Sequence, residues 1–234
     1  MNQDTVATGL LWFLAFLFST TVHEAMHALA ALKGGDPTAH HGGQVSLSPI
    51  PHIRREPIGM LVVPLLTALT QGWAIGWAST PYDTRWAARY PKRAALMAAA
   101  GPAGNLSIAF VAFVLIKMGL AAGWFVPPDS LSGFDHLVVA PGDAQNFIGQ
   151  VLSIFLMLNV LLCAFNLIPL PPLDGASVIG LFLPERAALK MRELSHTPIF
   201  QMAGLVVAWR IFPLIVDPLF GLVLEAVHPG LSYS

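Results

Sequence analysis

Charge is scarce in this chain, and so is cysteine. Asp, Glu, Lys and Arg together make up 11% of the 234 residues, whereas soluble domains carry about 25%. So little polar surface cannot cover a water-soluble globule. The single cysteine, Cys163, excludes an intrachain disulfide and leaves the redox compartment unset; lying in an apolar run, it reads as a packing residue. The formal net charge of −1 removes the electrostatic case for nucleic acid. No repeat, heptad or low-complexity tract is present, and no stretch is large enough to form an appended soluble domain. The expectation is one domain over residues 1–234.

What is abundant is apolar sequence. Hydrophobic residues make up 55% of the chain, and the mean hydropathy is +0.66. A helix crossing a bilayer needs about 20 mostly apolar residues. Residues 10–32 contain one charged residue, Glu24, and residues 57–82, 94–116 and 147–173 contain none. A last candidate, 198–224, carries Arg210 and Asp217 and is interrupted by Pro213 and Pro218. The first segment lacks the basic n-region of a cleaved signal peptide, so it reads as a retained span. The predicted fold is an all-α polytopic membrane bundle of about four to six transmembrane segments, with a short β or re-entrant element. That element has two sources. The alternation Gly43-Gln44-Val45-Ser46-Leu47-Ser48 is a strand signal, and Pro64, Gly72 and Gly76 could fold 57–82 into a re-entrant hairpin; an ordinary single span is the alternative.

Basic residues stay on the cytoplasmic side. Lys33, Arg54 and Arg55 follow the first span, Arg85, Arg89, Lys92 and Arg93 precede residue 94, and Arg186, Lys190 and Arg192 follow the span from 147. Residues 120–146 have no Lys or Arg but carry Asp129, Asp135 and Asp143. The basic groups share one side only if 57–82 crosses an even number of times.

The sharpest chemical signal is His23-Glu24-Ala25-Met26-His27. On a helix, positions i and i+4 share a face, so both imidazoles can reach one zinc at about 2.0–2.1 Å. Glu24 is placed to take a proton from water activated by that metal. The pattern also occurs by chance on solvated surface helices. Within an apolar span that reading is weak, because a charge at mid-span costs about 2.5 kcal/mol or more and marks function by default. A catalytic zinc usually takes a third protein ligand. Asp174, which ends the uncharged run at the expected cytoplasmic edge, is the best candidate; helix N-cap is its other reading. His40, His41 and His52 read as a solvated loop, and His136, His196 and His228 lack partners at ligand spacing. Arg210 and Asp217, seven apart, could pair along one helix side.

These residues resemble the site-2 protease family of intramembrane zinc metalloproteases, peptidase family M50. Its second motif, N-x-x-P-x-P-x-x-D-G, matches Asn166, Pro169, Pro171, Asp174 and Gly175, and Gly101-Pro102-Ala103-Gly104-Asn105 is similar to its G-P-x-x-N opening. The resemblance covers most of the chain, in order, and is closest to small members made of the membrane core alone, with no room for a PDZ-like insertion. Its G-W-A-K-P-V-P-like stretch corresponds to Gly76-Trp77-Ala78-Ser79-Thr80-Pro81-Tyr82, where the Lys is absent.

The resemblance implies a multi-pass protein of a prokaryotic plasma membrane with its active site toward the cytoplasm. It implies one zinc per chain held by His23, His27 and Asp174, with Glu24 catalytic, and a transmembrane protein or peptide as substrate within the lipid bilayer. Asn166 is implied to position substrate or the developing oxyanion; a helix-end residue satisfying freed carbonyls is the alternative. Asn105 could join it, or serve as an interhelix hydrogen-bond residue. A substrate strand is expected to pair near Val45–Ser48. Two rivals stand beside this reading: a transporter or channel, and a catalytically inactive metal-binding membrane partner. The first has no need of a carboxylate between two His at this spacing, and no span repeat supports it. The second would be marked by loss of Glu24 or a ligand, and all are present.

Overall fold

The computed structural model describes residues 3–131, 133–142, 146–195 and 197–231. Asp143 and His196 lie outside them. The helices run α1 Gln3–Lys33, α2 Thr38–His41, α3 Pro49–Arg55, α4 Val63–Gln71, α5 Thr84–Arg89, α6 Pro91–Ala121, α7 Phe147–Asn166, α8 Asp174–Val178, α9 Glu185–Ser195, α10 Pro198–Ile211 and α11 Pro213–Val227. The protein is an all-α membrane protein: α1, α6 and α7 are each long and apolar enough to cross a bilayer. Their outer sides carry large apolar groups, such as Phe110 at 65% exposed, as a lipid-facing surface requires.

Local chemistry sets the helix ends. Pro91 opens α6, where its missing N–H costs nothing. The Asn146 side chain accepts from the Ile148 and Gly149 amides and caps α7. The core lies where α1, α6 and α7 meet. Ala109, Ala112 and Ile116 of α6 pack on Leu156 and Met157 of α7, and Trp12, Phe13 and Phe16 of α1 pack on Ile154 and Leu158.

Residues 57–82 fold as a hairpin. A π-helical turn, Ile58–Val62, leads into α4, and Gly72 reverses the chain in the left-handed region at φ 79°. The chain then returns in extended form. Ile75 N donates to Thr67 Oγ1 and Trp77 N to Gly59 O, each at 3.0 Å. Ser79 Oγ donates to Glu56 Oε1 at 2.6 Å, so the two ends of the hairpin lie together. The limbs touch: a Cβ on Gly76 would stand 2.2 Å from Gly59 O.

Three expectations need correcting. Residues 43–48 form no strand. Ser46 Oγ accepts from the Ser48 amide and Ser48 Oγ from the Ile50 amide, so side chains satisfy the backbone locally and start α3. Among the described residues there is no sheet, only an isolated bridge between Val126 and Val139. The last apolar segment is broken: Pro213 separates α10 from α11 with a 49° bend, so Arg210 and Asp217 do not share one helix. His52 is buried, with its Nε2 3.1 Å from Ser46 O, while His40 and His41 are exposed.

Candidate metal centre

One turn of α1 presents His23 and His27 on the face that meets α6. The rings cross edge-to-face at 83°, with centroids 4.6 Å apart. Their Nε2 atoms are 2.9 Å from each other. Asp174 Oδ2 is 3.1 Å from His23 Nε2 and 3.3 Å from His27 Nε2. Three ligand atoms from two distant parts of the chain thus converge on one point.

The second nitrogen of each ring fixes the tautomer. His27 Nδ1 donates to Met97 O at 2.8 Å. His23 Nδ1 lies 2.6 Å from Asn105 Oδ1. Asn105 Nδ2 donates to Asn159 Oδ1, and Asn159 Nδ2 to Ser19 Oγ and Phe155 O, so the Asn105 atom facing His23 is its oxygen and Nδ1 must carry the proton. With its Nδ1 proton placed there, each ring in its neutral form turns an Nε2 lone pair toward the other and toward Asp174 Oδ2. Three lone pairs facing one another repel unless a cation sits between them. Histidines that ligate metal characteristically donate their other N–H to a carbonyl or carboxylate, and both do so here. The donor set fits a divalent zinc-like ion with an open fourth position.

Asp174 reaches this point because residues 167–173, interrupted by Pro169, Pro171 and Pro172, break the helix after α7 and let α8 pack on α6. α8 begins at Asp174 itself, and its N-cap position, Leu173, makes no side-chain cap. The carboxylate is therefore not used as a cap. Lys92, at the start of α6, donates to Gly180 O, Leu181 O and Leu183 O and holds the turn after α8 against the bundle. α9 closes the far side, with Arg192 Nη2 donating to Thr84 O at 3.0 Å.

These elements enclose a cleft of about 260 Å³ lined by His23, Glu24, His27 and Asp174. Asn166, the last residue of α7, also lines it, and its Nδ2 donates to Leu162 O at 2.9 Å. Asn105 does not line it. This residue is fully buried behind His23, where it orients the ring. Glu24 is 4% exposed. Thr80 Oγ1, on the returning limb of the hairpin, lies 2.7 Å from Glu24 Oε2 and 3.0 Å from Glu24 O. Sequence reasoning missed Asn159, Ser19 and Thr80. Polar residues within apolar runs were the only signal for the first two.

Residues 11–210 match the family described as Peptidase family M50. Two curated relatives carry metalloprotease names. The chain is 33% identical to "Putative zinc metalloprotease YwhC" of Bacillus subtilis over 181 residues, 77% of this chain and 72% of that protein. It is 28% identical to "Putative zinc metalloprotease Rip2" of Mycolicibacterium smegmatis over 170 residues, 73% of this chain and 56% of that protein. No solved structure matches the chain significantly. The family match spans most of the sequence and takes in α1, with its two imidazoles, together with the Asp174 turn; this chain belongs to peptidase family M50, the site-2 protease family.

Proposed function

We propose that the protein is an intramembrane zinc endopeptidase in which His23, His27 and Asp174 hold one metal ion per chain and Glu24 is the general base. The observation that carries this is the convergence of three bare ligand atoms beside a buried carboxylate. Zinc bound there supplies a Lewis acid that polarises a peptide carbonyl and lets water ionise near neutral pH. Glu24 takes the proton from the attacking water and passes it to the leaving amine. Asn166 spends one of its two N–H donors on Leu162 O, which leaves the other for substrate or a developing oxyanion.

The substrate is a transmembrane segment of another protein, locally unwound to expose a carbonyl. Its extended chain pairs along residues 76–80, the extended limb beside the cleft, rather than at Val45–Ser48, which is bent. Residues 57–82 form a re-entrant hairpin that enters and leaves on one side, so the bundle is multi-pass, with α10 and α11 as a broken further span. That arrangement puts the basic groups Lys33, Arg54, Arg93, Lys92 and Arg192 at the end of the bundle that holds Asp174. The active site accordingly opens toward the cytoplasm by the positive-inside rule. Residues 1–234 act as a single intramembrane domain.

The test is cleavage of a quenched fluorescent transmembrane peptide in phospholipid vesicles by wild type and Glu24→Gln, with zinc measured on both. Wild type is expected to cut, the variant to lose at least about 100-fold in rate, and both to hold one zinc. Loss of zinc from wild type, or equal cleavage by the two, overturns the assignment.

A further inference from the structure

Among the described residues, Thr80 supplies the one hydrogen bond to the Glu24 carboxylate. A Thr hydroxyl has one proton to give, and two acceptors of the same residue lie within reach, Oε2 at 2.7 Å and the main-chain O at 3.0 Å. Donation to the carboxylate is shorter and charge-assisted, so it prevails. Glu24 O, as part of α1, is already an acceptor within the helix. One carboxylate oxygen is thereby occupied and the side chain held in one rotamer, with the other oxygen left to accept a proton.

The limb that carries Thr80 is pinned along its length. Its partners are Thr67 Oγ1 at Ile75 N, Gly59 O at Trp77 N, Glu56 Oε1 at the Ser79 hydroxyl and Asp36 Oδ2 at Asp83 N. Its approach to the entering limb leaves no space for a side chain at Gly59, where a Cβ would meet Trp77 O at 2.3 Å. Pro81 confines Thr80 itself to extended backbone. A chain registered at so many points sets the hydroxyl's position, and the element it sets is the one beside the cleft.

We infer that Thr80 is a positioning residue for the reaction: its hydroxyl fixes the Glu24 carboxylate in the orientation that takes the proton from water, and the re-entrant hairpin exists in part to deliver that hydroxyl. This rests on the peptidase reading with Glu24 as base. The hydroxyl is spent on Glu24, so its effect is expected on turnover and not on binding.

The experiment compares wild type, Thr80→Val and Thr80→Ser in phospholipid vesicles, using the same quenched transmembrane peptide, with kcat, KM, zinc stoichiometry and thermal midpoint measured for each. Valine is nearly isosteric and lacks the hydroxyl; serine keeps it. Thr80→Val is expected to lower kcat by about 10- to 100-fold, the worth of one hydrogen bond to a charged group, with KM within about twofold and zinc content unchanged. Thr80→Ser is expected to recover most of the lost turnover. Wild-type turnover by Thr80→Val overturns the inference, as does a Thr80→Ser loss equal to that of valine, or a fall in zinc content that tracks the loss of rate. If wild type holds zinc and cuts nothing, the peptidase reading falls first and this inference with it; if wild type cuts and Thr80→Val cuts as fast, this inference alone falls.

Discussion

Gly101 offers a perturbation in which local preference and site geometry pull in opposite directions. It lies inside α6, opposite the two imidazoles. A methyl there would stand 2.3 Å from His27 Nε2, 2.5 Å from His27 Cε1 and 2.6 Å from His23 Nε2. Comfortable contact begins near about 3.5 Å, so each ring must retreat by roughly 1 Å. Neither can swing aside freely, because His27 Nδ1 is held by Met97 O and His23 Nδ1 by Asn105. Metal–ligand distances tolerate about 0.2 Å, and loss of a mere supporting partner already costs about 10- to 100-fold in affinity. Gly101→Ala is therefore expected to weaken zinc binding by about 100-fold or more. Helix propensity acts the other way, since alanine in a helix interior is favoured over glycine by about 0.5–1 kcal/mol. The fold should accordingly survive, with helical content by circular dichroism unchanged. The assay is zinc competition against a chromophoric chelator in detergent micelles, run beside circular dichroism. Wild-type zinc affinity in a folded Gly101→Ala protein would refute the placement of the metal between these rings.

Asn105→Leu removes the acceptor opposite His23 Nδ1 and leaves Asn159 without its donor; zinc affinity by the same competition is expected to fall about 10- to 100-fold, whereas a substrate-contact role would leave it untouched. Asp36 gives a pH signature outside the membrane. Burial alone would raise its pKa, but the Thr38 hydroxyl and the amides of Asp83 and Thr38 overcome this and hold it below the ordinary carboxylate value. Its contribution is thus fully present above the unfolded value of about 3.9 and is lost as pH falls through the lower folded one. Asp36→Ala should melt earlier than wild type at pH 7, and thermal scans should show that gap narrowing as the pH is lowered past about 4.

Much of the frame was legible from charge alone. Long apolar runs with at most one charged residue marked α1, α6 and α7, because a bilayer tolerates few charges. His23, Glu24 and His27 were legible because an i, i+4 pair with a carboxylate has few other uses inside such a run. Asp174 was less so: from its local setting a helix cap stood as the competing reading, and the fold shows no side-chain cap at the start of α8. The strand expected at 43–48 and not formed shows where alternation misleads, since a strand needs a partner and the serines satisfied the backbone without one. Thr80 was illegible because its partner is 56 residues away and the hairpin that joins them is set by glycine contacts rather than by pattern. Asn105 was misjudged in one of its two readings for a related reason: G-P-x-x-N gives no hint that the side chain faces the back of a histidine.

The chain of hydrogen bonds from Ser19 through Asn159 and Asn105 to His23 threads α1, α7 and α6 in turn, and Asp174 follows α7 in sequence. A ribosome therefore releases His23, Glu24 and His27 well before Asn105, Asn159 and the Asp174 proposed to join them. The nascent polypeptide cannot assemble a working blade until its later half has docked. On the proposed site, a nascent copy that ends before Asp174 carries the histidines without their third ligand.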